Sequence, residues 1–296
     1  MRASPRDLLL MAIGLLAVAT SGPLVAASAA VPALAIAFWR NGMAAAVLLP
    51  WTLVRRRHEL AALDARERRL ALLAGLMLAL HFGTWIPSIS YTSVASATAL
   101  VATQPAWAAI ISTVRGERVA GRVWLGIAVA MLGALLLTGA DLTVSGDALL
   151  GDGLALLGGV FAAGYMTAGS EVRRSVTTTT YTTLCYSTTA VLLLGVCLIG
   201  RQSLAGYDGR DWARLVALTA GAQLLGHSLF NVVLKRVSPT LVSLAILFEI
   251  PGAALIAALF VAGQHVPLLA IPAAALLVAG LAIVISSGQR ESAPVE

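Results

Sequence analysis

An acidic side chain and a proline interrupt one of the most apolar stretches of the chain. The segment LVSLAILFEIPGAALIAALF, residues 241–260, carries Glu249 and Pro251. An ionised acid at the centre of a bilayer costs about 2.5 to 3.5 kcal/mol on insertion scales, so in a membrane Glu249 should face protein or a water-filled cavity. Pro251 cannot donate a hydrogen bond to the carbonyl of residue 247, which predicts a kink just before it, and Gly252 adds backbone freedom.

Glu249 has two interpretations that the sequence leaves open. As a coupling residue, it would load and release a proton as access to the two sides of a membrane alternates. As a structural residue, it would bind backbone groups freed by Pro251 or pair with Arg40. Arg40 itself lies about seven residues into an apolar stretch, near enough to the end for its side chain to reach the surface. We expect a structural role for Arg40, with binding of a substrate carboxylate as the alternative.

Polar and aromatic residues at helical spacing form two candidate cavity linings: Gln223, His227 and Asn231, and His81, Trp85 and Ser88. Members of each set lie on one helix face, and polar faces inside apolar helices should point away from lipid. A central cavity is the expected destination. The alternative is hydrogen bonding between helices, which contributes on average only about 0.6 kcal/mol per pair in membranes.

Two more aromatic residues are candidates for the same cavity. Trp107 lies four residues after Thr103, on the same helix face, and Tyr165 lies in the middle of its apolar stretch. Aromatic rings in a cavity would stack on aromatic or cationic substrates, although packing is the commoner role.

Pro23 and Pro105 complete the set of candidate hinges with Pro251 and Gly252, because each proline interrupts the hydrogen bonds of its helix.

The composition identifies an integral membrane protein. Hydrophobic residues make up 59% of the chain and charged residues 11%, with a mean hydropathy of +0.89. A helical span needs roughly 20 apolar residues. Scanning for such stretches predicts ten spans: 7–29, 33–53, 70–91, 93–114, 123–140, 153–170, 180–200, 212–234, 239–262 and 267–287.

The basic residues predict the orientation. With the N-terminus inside, 16 of the 20 Lys and Arg residues fall in inner segments and only three in outer loops. Loops rich in Lys and Arg stay in the cytoplasm, so both termini are predicted to be cytoplasmic. The net charge of +6 is then explained by inner loops that face anionic lipid, and nucleic-acid binding is not expected.

The chain repeats itself weakly but over a whole half. At an offset of 146, TQP at 103–105 aligns with EIP at 249–251, and His81 aligns with His227. The predicted repeats are residues 1–145 and 146–296. Five spans per repeat is an odd number, so the second copy enters the membrane from the opposite side. Inverted repeats are the architecture of secondary transporters.

Several motifs resemble the drug/metabolite transporter superfamily, and within it the EamA-domain family: FWRNG, LHFGTWIPSISYTSVASATALVATQP, GERV and LLGHSLFNVVLKRVSPTLVSLAILFEIPG. The resemblance covers nearly the whole chain. It implies an all-α fold of ten transmembrane helices around a central cavity, lined mainly by spans one, three, four, six, eight and nine. One departure is that the first repeat has Thr103 where the second has Glu249, so only one half carries the acid.

The expected function is secondary active export of small metabolites, with amino acids the leading class, by alternating access coupled to protons. The alternatives are a facilitative uniporter, a drug exporter, a lipid-headgroup flippase and a receptor or scaffold that binds without transport. The chain has a single lysine and no GxxxxGK[ST], HExxH or GxSxG motif, so neither ATP hydrolysis by a P-loop nor enzymatic chemistry is expected. No cofactor or metal is expected either. The expected location is a bacterial inner membrane, with the protein a monomer or homodimer.

Overall fold

The structure is a computed structural model that describes residues 4–92, 94–138, 146–260 and 269–290. Every regular element in these residues is a helix. The repeat boundary predicted after residue 145 and the span ends predicted at 93, 139–140, 261–262 and 267 lie outside the described residues.

The described residues of the first half form eight helices: α1 (Pro5–Ala19), α2 (Ser21–Ala27), α3 (Ala33–Arg55), α4 (Arg57–Ala62), α5 (Ala65–Ser88), α6 (Val94–Val101), α7 (Gln104–Val114) and α8 (Gly121–Thr138). The second half forms α9 (Gly146–Val172), α10 (Thr178–Ile199), α11 (Gly209–Leu218), a π-helix (Thr219–His227), α12 (Ser228–Val233), α13 (Pro239–Ile246), α14 (Glu249–Phe260) and α15 (Ala270–Arg290).

Seven helical stretches of the described chain are long and apolar enough to cross a membrane: Pro5–Ala27, Ala33–Arg55, Ala65–Ser88, Ser96–Val114, Gly146–Val172, Thr178–Ile199 and Gly209–Val233. The other three predicted spans correspond to shorter apolar helices: Gly121–Leu136, Pro239–Gly252 and Ile271–Ser287. Two starts differ clearly from the prediction, because α5 begins at residue 65 rather than 70 and α9 at 146 rather than 153.

Polar caps explain where several helices begin. Ser4 caps α1, with its hydroxyl accepting from the backbone N–H of Asp7 while the Asp7 carboxylate accepts from the backbone N–H of Ser4. Asp64 and Glu67 form the same reciprocal arrangement at the start of α5. Each arrangement satisfies two backbone donors that a helix start leaves free. The early start of α5 follows from this cap, which the span prediction did not take into account.

Contacts between helices repeat when the two halves are exchanged. The most extensive contact joins α5 of the first half to α9 of the second half. The corresponding contact, with the two halves exchanged, joins the π-helix and α12 of the second half to α1 of the first half. Helices α6 and α7 pack on α9, as α13 and α14 pack on α1. Two further contacts, α3 with α10 and α8 with α15, each join a helix of the first half to the helix at the corresponding position in the second half. The fold therefore has the internal symmetry that the sequence offset predicts.

The α8 and α15 pair crosses closely because small residues line the crossing. A Cβ atom at Gly126 would lie 2.7 Å from the carbonyl oxygen of Gly280, and a Cβ at Gly133 would lie 2.7 Å from that of Ala273. Real Cβ atoms do not approach that closely, so any larger residue would push the helices apart. Small residues allow the close backbone approach that stabilises helix pairs in lipid.

Ion pairs connect the loops at one end of the bundle, which we call the arginine-rich end; it contains Asp7, Glu59, Glu171 and their partners. Asp7 binds Arg236 through Nε and Nη2, at 3.1 and 2.8 Å. Glu171 forms ion pairs with three arginines: Arg66, Arg115 and Arg174. Glu59 accepts hydrogen bonds from the start of α10, namely from Thr177 and Thr180.

Aromatic and polar contacts connect the opposite end. The Trp39 ring packs edge-on against Trp212 at 5.1 Å between centroids, and its Nε1 donates to the carbonyl of Leu204. The hydroxyl of Thr92 donates to Asp152 at 2.8 Å. Each end is therefore held together by side chains from distant parts of the sequence.

Candidate functional site

Two broken helices meet near the middle of the bundle. Helix α6 ends at Val101 and α7 begins at Gln104, while α13 ends at Ile246 and α14 begins at Glu249. Pro105 occupies the first turn of α7, and Pro251 is the third residue of α14. A proline in the first turn loses no hydrogen bond, because the N–H groups there have no partner within the helix. Both breaks lie where the sequence predicts a kink.

A third break lies in the first span, just before its proline. Helix α1 ends at Ala19 and α2 begins at Ser21, so Pro23 is the third residue of α2, as Pro251 is of α14. The Thr20 hydroxyl donates to the carbonyl of Ala17 at 2.7 Å. A Cβ atom at Gly252 would lie 3.1 Å from that of Ala19, so α14 touches this break directly.

The broken helices enclose a cavity of about 60 Å³. That volume accommodates a few water molecules, since one water needs roughly 10 to 15 Å³ by the same kind of measure. The lining comes from spans one, three, four, six, eight and nine, the six that the family resemblance implies, and additionally from Arg40 on the second. Four of the nine residues predicted to line it do so, His81, Trp85, Tyr165 and His227, and the coupling candidate Glu249 lines it as well.

Arg40 is completely buried and does not reach the surface, so the expectation that it extends there is wrong. Its Nε donates to Gln223 at 2.9 Å and its Nη1 to Ser21 at 3.2 Å. The guanidinium carbon lies 4.0 Å from the centre of the Phe82 ring. The third nitrogen, Nη2, is buried with no hydrogen-bond partner. Internal acceptors and an aromatic face hold the side chain inside the bundle.

Glu249 begins α14 and its half-buried side chain lines the cavity. Arg40 attracts it electrostatically, yet the two form no ion pair. No side-chain or backbone donor among the described residues bonds its carboxylate, in contrast to the structural interpretation of this acid. The cavity thus holds an acid and a base that are not in direct contact.

The two histidines lie in an aromatic cluster on one wall. His81 Nδ1 is 2.9 Å from the carbonyl oxygen of Gly158, so this nitrogen carries the proton. The His81 ring stacks on Trp85 with 5.9 Å between centroids, and His227 meets Phe82 edge-on at 5.6 Å. Trp85 Nε1 and His227 Nδ1 are buried without hydrogen-bond partners. No group of three metal-ligating side chains occurs in the described part of the chain.

Two predicted lining residues are buried behind the cavity wall instead of lining it. Gln223 accepts from Arg40 and donates through Nε2 to Asn41 at 3.0 Å. Asn231 donates through Nδ2 to the hydroxyl of Tyr165 at 2.6 Å. Both therefore orient side chains that line the cavity.

Three other predicted residues bond within their own helical segments. Ser88 donates to the carbonyl of Trp85 at 2.6 Å, and Thr103 to that of Leu100 at 2.7 Å. Trp107 Nε1 donates to the Thr103 hydroxyl at 3.0 Å. None of the three is part of the cavity lining.

Residues that the sequence reasoning missed include Phe82, Phe230 and Gln104, all of which line the cavity. Phe82 follows His81 directly, and Gln104 is buried beside Thr103 at the break. Apolar residues in an apolar helix give no periodic signal that separates a cavity wall from packing. For Arg40 a signal existed, because a charge inside a span should face protein.

Comparison with known proteins agrees with this geometry. The profile of the EamA-like transporter family matches residues 6–139 and again residues 149–286. A solved structure described only as a crystal structure of a protein superposes with a TM-score of 0.79, at 20% identity, over 99% of this chain and 100% of that one. At that identity the likeness shows the fold alone. No curated protein gives a significant sequence match. The two family matches together span most of the sequence, and the chain therefore belongs to the EamA-like transporter family.

Proposed function

We propose that this membrane transporter exports small metabolites, with amino acids the leading class, by proton-coupled alternating access in a bacterial inner membrane. The observation that carries the proposal is the position of Glu249. It stands at the break of a helix, faces a central cavity and has no hydrogen-bond partner among the described residues. An intramembrane acid that nothing neutralises marks a proton or substrate site.

The proposed topology has ten spans in two inverted repeats, residues 1–145 and 146–296, with both termini cytoplasmic. Contacts between distant residues support this number of crossings. Asp7, at the start of the first span, bonds Arg236, after the eighth, and Thr92, after the third, bonds Asp152, at the start of the sixth. In each case an even number of proposed spans separates the partners, as residues on one side of a membrane require.

Alternating access is proposed to use the broken helices as pivots. The halves α6–α7 and α13–α14 are related by the internal symmetry and pack on α9 and α1 respectively. A break in the hydrogen-bond ladder leaves fewer bonds to disrupt when the two halves of a helix change their angle. In transporters with inverted repeats, one repeat rocks against the other around a central site.

Amino acids are proposed because the cavity offers both charges. Arg40 presents a guanidinium nitrogen without a hydrogen-bond partner, and the carboxyl group of Glu249 lines the same cavity. A zwitterion would satisfy both without adding net charge to the interior, and burial of a charge is costly unless it is paired. When the empty carrier returns, a proton on Glu249 would take the place of the substrate ammonium. This exchange couples the flux of the amino acid to the flux of protons.

Proteoliposomes loaded with a mixed amino-acid pool test this function. Flux of particular amino acids is measured with an imposed pH gradient and then without one. Selective flux that grows with the gradient is the expected result. Equal flux without the gradient would make the protein a facilitator. Absence of flux for every amino acid would overturn the proposed substrate class and direct the search to drugs, other metabolites or lipid headgroups.

A further inference from the structure

We propose that Arg40 Nη2, Trp85 Nε1 and His227 Nδ1 form a subsite that binds the carboxylate of the substrate. This rests on the proposed function and names the chemical group recognised in the same cavity. All three atoms are buried without a hydrogen-bond partner, and all three residues line the cavity. Buried polar groups are almost always hydrogen-bonded, so three such atoms in one cavity indicate that something else bonds them.

The guanidinium of Arg40 is held in a fixed orientation. Gln223 accepts from its Nε and is itself fixed by Asn41, whose amide nitrogen donates to the carbonyl of Ala37. Ser21 occupies Nη1. Only Nη2 remains free. A binding group positioned by such supporting hydrogen bonds loses little conformational freedom when the ligand arrives.

The chemistry of the free atoms selects an anion. Arginine and the tryptophan indole only donate hydrogen bonds, and Nδ1 of histidine donates in one of its two tautomers. A ligand that satisfies three donors must bring acceptor oxygens. Hydrogen bonds from a cation to a carboxylate are roughly twice as strong as neutral ones. An aliphatic or purely aromatic ligand would leave all three donors unpaired.

A carboxylate fits better than a phosphate because of Glu249. This acid lines the same cavity, and like charges close together in a buried site repel. A monoanion with a positive charge further along its length places opposite charges against both Arg40 and Glu249. A phosphate dianion would add a second negative charge near Glu249 with no group to balance it.

The test uses the purified full-length chain in detergent and small probes. The thermal unfolding midpoint is followed as propionate is titrated, with propionamide as the neutral isostere and with inorganic phosphate and chloride as other anions. A ligand that binds only the folded state raises the midpoint with its concentration. We expect a saturable rise with propionate alone. No rise with propionate, or an equal rise with propionamide or chloride, would overturn the proposal, and a larger rise with phosphate would replace carboxylate by phosphate.

Variants identify the donors, each compared with its own midpoint without ligand. Arg40→Gln should abolish the rise, while Arg55→Gln, an exposed arginine on the same helix that lies over Trp51, should retain it. Trp85→Phe keeps the ring and removes one donor to a charged ligand, so propionate should bind roughly tenfold more weakly. If Arg40→Gln does not fold, Trp85→Phe decides, and unchanged propionate affinity in it would overturn the subsite.

The binding measurement is independent of the transport assay. Propionate binding that depends on Arg40, in a protein without amino-acid flux, would leave the subsite standing and remove the proposed function. Coupled amino-acid flux, together with propionate binding that Arg40→Gln leaves unchanged, would support the proposed function and overturn the subsite.

Discussion

The charged side chains at the arginine-rich end have several partners each, whereas the ionisable side chains in the cavity have few. At the arginine-rich end, Glu171 has three arginine partners and Glu59 accepts three hydrogen bonds. In the cavity, Glu249 has no such partner among the described residues, and Arg40 has one free nitrogen. The paired groups lie near loops where water is available, and the unpaired groups lie where desolvation is costly.

The difference separates structural from functional charge. An unpaired charge inside a membrane protein costs folding free energy, so its presence indicates a use that only a free charge can serve. A charge saturated by internal partners has no capacity left for a ligand. Glu249 and Arg40 are therefore expected to govern transport and binding, whereas Asp7, Glu59 and Glu171 are expected to govern stability.

The largest effect is expected from Glu249→Gln. The amide keeps the shape of the side chain but cannot carry a proton, so the variant should fold normally and lose its dependence on the pH gradient, with gradient-driven flux reduced at least tenfold. Glu171→Gln is the matched control at the arginine-rich end and should retain gradient-driven flux. Full gradient-driven flux in Glu249→Gln would make Glu249 a structural acid.

Asp7→Asn is expected to have the next largest effect, on stability alone. The Asp7 carboxylate is buried, caps α1 and bonds Arg236 twice. Loss of its charge should lower the free energy of unfolding by about 1 to 2 kcal/mol, because Arg236 is partly exposed and regains water. Unfolding by SDS in mixed micelles measures this. Adding Arg236→Gln to Asp7→Asn should lower the free energy of unfolding little further. If the losses of the two single variants add up in full, the pairing of Asp7 with Arg236 is contradicted.

Glu59 should make stability depend on pH. Burial opposes its ionisation, but hydrogen bonds from the Thr177 backbone and from the Thr180 and Thr177 hydroxyls outweigh burial and lower its pKa below 4.5. Because the folded pKa is the lower one, the stabilisation is complete above pH 4.5 and is lost as the pH falls through the folded value.

The comparison of wild type with Glu59→Gln tests this. At pH 7 the variant should be less stable by about 1 to 2 kcal/mol, the contribution of hydrogen bonds to a charged group. The difference should shrink as the pH falls below 4.5. A difference that stays constant between pH 7 and the lowest pH at which the protein remains folded would show that ionisation of Glu59 is not involved.

The smallest effect is expected from the arginines around Glu171. Arg66 has 75% of its side chain exposed and Arg174 has 64%. Exposed ion pairs contribute little, because solvent and salt screen them. Arg66→Gln should change the free energy of unfolding by less than about 0.5 kcal/mol. A larger loss, measured by the same SDS titration, would mean that the Glu171 cluster acts as one cooperative network.

Much of the helical fold follows from the sequence, because apolar length and loop charge are local properties. The breaks before Pro105 and Pro251 also follow, since proline removes a backbone donor. The break at Thr20 follows in the same way, because Pro23 is the third residue of α2. Which polar residues line the cavity depends on side-chain partners: Gln223 has the same spacing and polarity as His227, but Arg40 and Asn41 hold it behind the wall.

Proton movement driven by substrate tests the central claim most directly. Proteoliposomes containing the purified protein are given an amino-acid gradient and no pH gradient, and a pH-sensitive dye records the internal pH. The account predicts that amino-acid flux moves protons in the opposite direction in the wild type, and that Glu249→Gln moves none. Amino-acid flux with no pH change in the wild type, or the same pH change in Glu249→Gln, would contradict it.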